Sequence, residues 1–266
     1  MRKTGIEIEF ADVNIFNKKI CKEIFVNLKL PCNEKNNDLY NQWIVKDDPT
    51  CGFEINTPII YSNNDFYNLK IVLKEIKKTY KEEEIINKDC GLHVHIDISN
   101  FVNVKQFLYL LQITKILENT IIFKITNKTR IRNKYCKKIC YYSKVKQCLN
   151  NDLKKFSKNI NKLPKNSGLS IKSYSTLGTA EFRYYQSTLN YYEIINWINF
   201  LQKIIDFIFD KNNIKWLDNN YYKIMNKTKK ISHKKIFKIL KLNRETINFI
   251  QKKVKENVRN VLCKKK

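Results

Sequence analysis

The sequence predicts an α+β protein, and two patterns support that class. Several short segments alternate apolar and polar residues with a period of two, which is typical of half-buried β-strands. Longer segments between them carry apolar residues at helical spacing. The 266-residue chain is 43% hydrophobic and 12% aromatic, so we expect it to bury a sizeable core.

The first hundred residues predict a strand, a helix and a hairpin. The strand spans residues 4–10 and places Glu7 and Glu9 on one face, with an apolar stripe on the other. A helix is predicted from Asn14 to about Leu28, and residues 43–60 predict a hairpin with its turn at 47–50. The hairpin favours antiparallel pairing.

A further strand, residues 90–98, contains two of the three histidines of the chain. His93, His95 and Asp97 share one face, because the intervening positions are all apolar. That face could bind a metal ion or a phosphate group. The alternative is an ordinary polar face that meets solvent.

The second half predicts a helix from Val104 to about Ile125, then strands over 169–175 and 179–186 joined across Leu177 and Gly178. In the last strand Glu181, Arg183 and Tyr185 share one face. Glu181 is the only acidic residue between Asp152 and Glu193, in a chain that uses lysine freely at surface positions. An isolated carboxylate of this kind indicates a functional role. Helices are predicted from Asn190 to about Phe209 and through the basic tail, residues 212–266.

Charge and cysteine content limit the class of partner. The formal net charge is +26 and the pI about 9.6, which favours an anionic partner or substrate. The lysines form no dense stripe with interleaved aromatic residues, so nucleic acid is the less favoured partner. The eight cysteines accompany no export signal, so we expect reduced thiols and no zinc site of regular spacing. With no long apolar run, the chain is expected to be cytoplasmic and not membrane-bound.

Each of three predicted strands carries a pair of charged or metal-binding side chains, two residues apart, on one face. The pairs are Glu7 and Glu9, His93 and His95, and Glu181 and Arg183. Two carboxylates held about 7 Å apart favour a cation between them. If the three strands are neighbours in one antiparallel sheet, their charged faces form a single wall. Such a wall could bind divalent cations, with Arg183 available to clamp a phosphate or carboxylate.

These motifs, in this order, resemble those of the amidoligases. That family is a branch of the carboxylate-amine ligases related to glutamine synthetase and glutamate-cysteine ligase. The resemblance covers residues 4–210. The motifs are Gly5–Phe10 (G-I-E-I-E-F), Gly91–His95 (G-L-H-V-H), Gly178–Arg183 (G-T-A-E-F-R), Arg130–Cys136 (R-x-R-N-x-Y-C), and Trp43 followed by Asp47, Asp48, Glu54 and Pro58.

The resemblance implies a fold and a division of the chain. The implied fold is a curved antiparallel β-sheet with helices packed on one face, as in the catalytic domain of glutamine synthetase. Residues 1–210 would form the catalytic domain. Residues 211–266 would form a basic helical extension packed on it.

The resemblance also implies an activity that depends on ATP and on Mg²⁺ or Mn²⁺. The enzyme would join a carboxylate to an amine through an acyl phosphate, with amino acids or peptides as the expected substrates. The implied metal ligands are Glu7, Glu9, His93, Glu181 and Glu54. His95 and Arg183 would contact phosphate groups, and Arg130 or Arg132 would supply a second clamp. Glu54, His95, Arg130 and Arg183 are therefore the candidate catalytic residues.

Two alternatives stay open from the sequence. Asp47 and Asp48 compete for one aspartate position of the family motif. The whole chain could also be an inactive protein of the same fold whose basic tail binds nucleic acid or another polyanion.

Overall fold

The computed structural model describes residues 1–33, 41–134, 136–164 and 166–263, with all side chains in these ranges except those of Arg132 and residues 260–263. The chain is α+β, as predicted. It divides into two compact units, residues 1–96 with 185–195, and residues 97–184 with 196–266. Among the described helices, none is both long and apolar enough to cross a membrane.

The strands of the described residues match most of the predicted ones. They are β1 (Thr4–Ala11), β2 (Cys32–Asn33), β3 (Trp43–Asp48), β4 (Gly52–Asn56), β5 (Gly91–Asp97), β6 (Leu169–Ser170) and β7 (Thr179–Gln186).

The helices flank these strands and continue to the C-terminal end of the described chain. They are α1 (Lys18–Asn27), α2 (Asn63–Thr79), α3 (Glu82–Ile85), α4 (Val104–Leu117), α5 (Phe123–Ile125), α6 (Lys128–Arg132), α7 (Tyr142–Gln147), α8 (Leu153–Ile160), α9 (Tyr174–Leu177), α10 (Tyr191–Phe207), α11 (Lys211–Met225), α12 (His233–Ile239) and α13 (Arg244–Cys263), with a π-helical segment at Glu118–Ile122.

The first unit contains a sheet in which β1 is central. The strand order is β2-β3-β4-β1-β5, and every pair is antiparallel except β2 with β3. The register places Glu7 opposite His93 and Glu9 opposite Glu54. The condition set from the sequence, that the strands be antiparallel neighbours, therefore holds for the Glu7 strand and the histidine strand.

The apolar face of this sheet holds the core of the first unit. Phe10 of β1 stacks on Phe53 of β4 at 5.4 Å between ring centroids and meets Phe16 edge-on at 5.3 Å. Phe25 of α1 lies 5.1 Å from Trp43 of β3. Because successive side chains of a strand point to opposite faces, this packing directs the glutamates of β1 to the other face.

Helix α1 begins later than predicted. Val13 and Phe16 exchange backbone hydrogen bonds, which closes a turn where the sequence predicted the first helical residues. The side chain of Asn17, not Asn14, then accepts hydrogen bonds from the backbone N–H groups of Lys19 and Ile20. Asn17 is thus the N-cap, which satisfies donors that a helix start leaves unpaired.

In the second unit, the strand predicted over 169–175 is shorter than expected. Only Leu169 and Ser170 pair with β7, and the chain then forms the short helix α9. Gly178 ends that helix with φ +67°, a left-handed conformation that glycine adopts at no steric cost. The helix therefore replaces the second half of the predicted strand.

The helix predicted over 104–125 is interrupted by the π-helical segment. Glu118, the first residue of that segment, is 2% exposed. Its Oε1 accepts hydrogen bonds from the Ile139 N–H at 2.9 Å and the Tyr184 hydroxyl at 2.8 Å. This burial raises the pKa of Glu118. The wider π-helical turn lets the Glu118 side chain enter the core, where its Oε1 is hydrogen-bonded to both donors.

The tail is helical as predicted and packs within the second unit. Thr246 Oγ1 donates to Asn196 Oδ1 at 3.2 Å, and Asn257 Nδ2 donates to the Lys124 carbonyl at 2.9 Å. Ile236 and Leu240 are buried. A division into a catalytic region and an extension at residue 210 stays a prediction.

Candidate active site

The polar face of β1 and β5 holds an imidazole between two carboxylates. His93 Nδ1 lies 3.0 Å from Glu7 Oε2, and His93 Nε2 lies 3.1 Å from Glu9 Oε1. Both contacts follow from the strand register, since Glu7 is directly opposite His93 and Glu9 is two residues further along the same face. The structure therefore brings together three of the predicted metal ligands.

The contact of His93 with Glu9 is buried. His93 is 2% exposed and Glu9 is also 2% exposed, so water screens the pair little. A divalent cation at this position would meet an imidazole nitrogen and carboxylate oxygens, which are ligand types that such ions take.

His95 extends the same cluster along β5. Its Nε2 lies 3.3 Å from Glu7 Oε1, so Glu7 contacts both histidines. Burial by itself raises the pKa of Glu7, but the hydrogen bonds and charges of His93 and His95 outweigh it and hold that pKa well below its ordinary value. Glu7 is thus an ionised ligand candidate near neutral pH.

Glu54 lies on β4 next to Glu9. It is 4% exposed, and its Oε1 lies 2.8 Å from Lys46 Nζ on β3. Burial and then the negative charge of Glu7 raise the pKa of Glu54 to about 8, although Lys46 opposes this. A divalent cation bound beside Glu54 would favour the ionised carboxylate and so oppose this rise in pKa.

The two aspartates of β3 lie on opposite faces of the sheet, since they are consecutive residues of one strand. Asp48 is on the same face as Lys46, and its Oδ1 accepts a hydrogen bond of 2.6 Å from the Thr50 N–H. Burial raises the pKa of Asp48, but the Thr50 hydrogen bonds outweigh it and lower that pKa. Asp47 points to the helix side, where it pairs with Lys18 at 2.6 Å and is 77% exposed. Asp48 is therefore the aspartate of this polar face.

The predicted residues of the second unit form a group of their own. Arg183 Nη1 donates to Glu181 Oε1, and Ser173 Oγ donates to Glu181 Oε2 at 3.4 Å. Glu181 is 5% exposed, and the side chain of Arg183 is 13% exposed. The pair predicted from E-x-R spacing is thus a direct ion pair on one face of β7.

Arg130 is buried in the same unit, at 1% exposure. Its Nε and Nη2 donate to the carbonyl oxygen of Arg183 at 3.3 and 3.2 Å. These contacts hold the backbone of β7 at Arg183. The proposed phosphate contact of Arg130 stays a prediction, and the side chain of Arg132, its sequence alternative, lies outside the described residues.

Sequence reasoning missed Lys46 as a member of the polar face. The predicted turn at 47–50 is wrong, and a turn there would have paired residue 46 with residue 51. In the structure β3 continues to Asp48 and β4 begins at Gly52, and this register brings Lys46 opposite Glu54. Lys46 is relevant to the site because it forms an ion pair with Glu54 and lowers the pKa of that carboxyl group against the effect of burial.

The donor set of the first unit fits a divalent cation. Glu7, Glu9 and Glu54 offer carboxylate oxygens, which Mg²⁺ and Mn²⁺ prefer. His93 adds an imidazole nitrogen, which favours Mn²⁺ or another transition metal over Mg²⁺ but is compatible with either. The residues present therefore suit the implied cofactor.

Comparison with known families gives a match over most of the chain. The profile of the family described as "Putative amidoligase enzyme" matches residues 23–205, which is more than half of the chain. The match includes Glu54, both histidines of β5 and the Glu181–Arg183 pair, whereas Glu7 and Glu9 precede it. A search of curated proteins finds no match.

Proposed function

Because the chain belongs to the amidoligase family, we propose that it is an ATP-dependent ligase that forms an amide bond between a carboxylate and an amine. The substrate carboxylate attacks the γ-phosphate of ATP, and an amine then displaces phosphate from the resulting acyl phosphate. Amino acids or peptides are the proposed substrates, and the positive net charge of +26 favours an anionic one.

The observation that carries this proposal is the contact of His93 with both Glu7 and Glu9. One imidazole and two carboxylates, all buried or half-buried, converge on one face of the sheet. The neighbouring Glu54 adds a third carboxyl group. A bound Mg²⁺ or Mn²⁺ ion would supply charge neutralisation for the transferred phosphoryl group. Glu7, Glu9, His93 and Glu54 would hold it, with Glu181 proposed from the family motif.

The remaining residues have positioning and charge-neutralising roles in this proposal. Arg183 and His95 would contact the phosphate oxygens, and Arg183 can do so bidentately. Arg130 orients Arg183 through its backbone carbonyl, whether or not it also meets phosphate. The enzyme would accelerate the reaction by positioning the substrates and by neutralising the negative charge of the phosphate groups, and no protein nucleophile is required.

The test is calorimetric titration of ATP into the chain with and without Mg²⁺. Wild type is expected to bind only with Mg²⁺ present. Glu9→Gln keeps the shape of the side chain and removes its charge, so we expect affinity to fall about tenfold or more. Glu83→Gln is the matched control, because it removes the same charge at an exposed position of α3.

Activity is then read as ADP release that requires both a carboxylate and an amine. Loss of Mg²⁺-dependent ATP binding in wild type itself would refute the ligase proposal. If the chain instead is retained on polyanions equally well before and after Glu9→Gln, the basic binding protein becomes the better description. The same titration with Glu181→Ala tests the role proposed for Glu181.

A further inference from the structure

A second group of donor atoms lies at the turn end of the β3–β4 hairpin. Glu9, Asp48 and Cys51 each present a side-chain oxygen or sulfur atom, and these three atoms lie within 4.8 Å of one another. They come from three different places: the middle of β1, the end of β3, and the turn before β4. The group is distinguished from the His93 cluster by its thiol.

The thiol of this group is already held in place. Cys51 is half-buried, and its Sγ donates a weak hydrogen bond to the Phe53 carbonyl oxygen at 3.9 Å. Spacing along the chain does not reveal the group, because Glu9, Asp48 and Cys51 belong to separate elements that only the sheet brings together.

Two basic groups of the same polar face have carboxylate partners. Lys46 Nζ lies 2.8 Å from Glu54, and His93 Nε2 lies 3.1 Å from Oε1 of Glu9. Two carboxylates and one thiol therefore converge where a bound cation would neutralise them. Hard cations such as Mg²⁺ avoid sulfur, whereas Zn²⁺ binds thiolate and carboxylate together in four-coordinate sites.

We propose that Glu9, Asp48 and Cys51 bind a thiophilic divalent cation, of which Zn²⁺ is the best fit. The Cys51 thiol becomes a thiolate on binding and releases its proton to the buffer. The site shares Glu9 with the proposed ligase centre, but Asp48 and Cys51 are ligands of its own, and it requires neither ATP nor ligase activity.

The test is titration of the reduced, metal-free full chain with Co²⁺, a spectroscopic substitute for Zn²⁺. Wild type is expected to take up one equivalent with a thiolate-to-cobalt charge-transfer absorption, and Zn²⁺ is expected to abolish that absorption by displacement. Cys51→Ser is expected to remove most of the absorption and to weaken Co²⁺ binding about tenfold or more. Asp48→Asn is expected to weaken binding while the thiolate absorption persists at saturation.

The matched control is Cys32→Ser, because Cys32 is half-buried like Cys51 but lies on β2 at the edge of the same sheet. This variant is expected to bind Co²⁺ as wild type does. Absence of the charge-transfer absorption in wild type overturns the proposal, and this result needs no variant to fold. Equal absorption in Cys51→Ser and wild type also overturns it. Since Co²⁺ uptake is read without nucleotide, these failures are separate from a failure of Mg²⁺-ATP binding.

Discussion

Replacing Glu54 by glutamine should change how stability depends on pH. In the native state the pKa of Glu54 is raised from 4.5 to about 8, first by burial and then by the charge of Glu7. The folded chain therefore binds this proton more tightly than the unfolded chain. The stabilising contribution is complete below pH 4.5 and is lost as the pH rises through about 8.

The magnitude follows from the two pKa values. The difference between 4.5 and about 8 corresponds to at most about 5 kcal/mol, since each pKa unit is worth about 1.4 kcal/mol. About 4 kcal/mol of this falls between pH 5 and pH 9. Glu54→Gln has no proton to lose, so the free energy of unfolding of wild type should fall relative to that of the variant across this interval.

The assay is urea unfolding of both proteins at pH 5, 7 and 9, with a chelator present to exclude metal ions. Glu83→Gln is the control, because its exposed side chain should leave the pH dependence of wild type unchanged. A stability difference between wild type and Glu54→Gln that stays constant to within about 0.5 kcal/mol would refute the reasoning. It would mean that Lys46 keeps Glu54 ionised throughout.

Three further predictions follow from single contacts. Asp48→Asn should weaken Mg²⁺-ATP binding about tenfold while Asp47→Asn changes it less than twofold, as measured by calorimetry; equal effects would contradict the assignment of Asp48 to the polar face. Arg130→Met should destabilise the chain by about 1–3 kcal/mol in urea unfolding, because a carbonyl of β7 loses its buried donors. Tyr184→Phe should cost about 1–2 kcal/mol by the same assay, because Glu118 loses a hydroxyl donor, and an unchanged midpoint would show that water replaces it.

The local elements were predictable wherever one periodicity dominates. The alternation around Glu7 and around His93 predicted both the strands and the faces that their side chains take. Prediction was wrong where a few residues compete with the pattern. The pairing of Val13 with Phe16 delays α1, and the left-handed Gly178 closes a helix where the sequence favours a strand.

The residue types that share the polar face were also predictable, because carboxylates and imidazoles at alternate strand positions share a face in any register. The distances between these side chains were not predictable. Only the pairing of β1 with β5 places Glu7 and Glu9 on the two ring nitrogens of His93. Only the register of the hairpin brings Lys46 to Glu54. There the positive charge of Lys46 opposes the rise in the pKa of Glu54 that burial and Glu7 cause.

The sequence by itself therefore determined the α+β class, the strand faces and the residue types of the proposed site. The tertiary structure alone decided that Asp48, and not Asp47, shares the polar face of the sheet, and that Cys51 lies close to Glu9. The physical reason is the range of the interactions. Side-chain direction along a strand is set by neighbouring peptide units. Contact between strands depends instead on residues far apart in the chain, because the apolar core and the strand register together decide which of them meet.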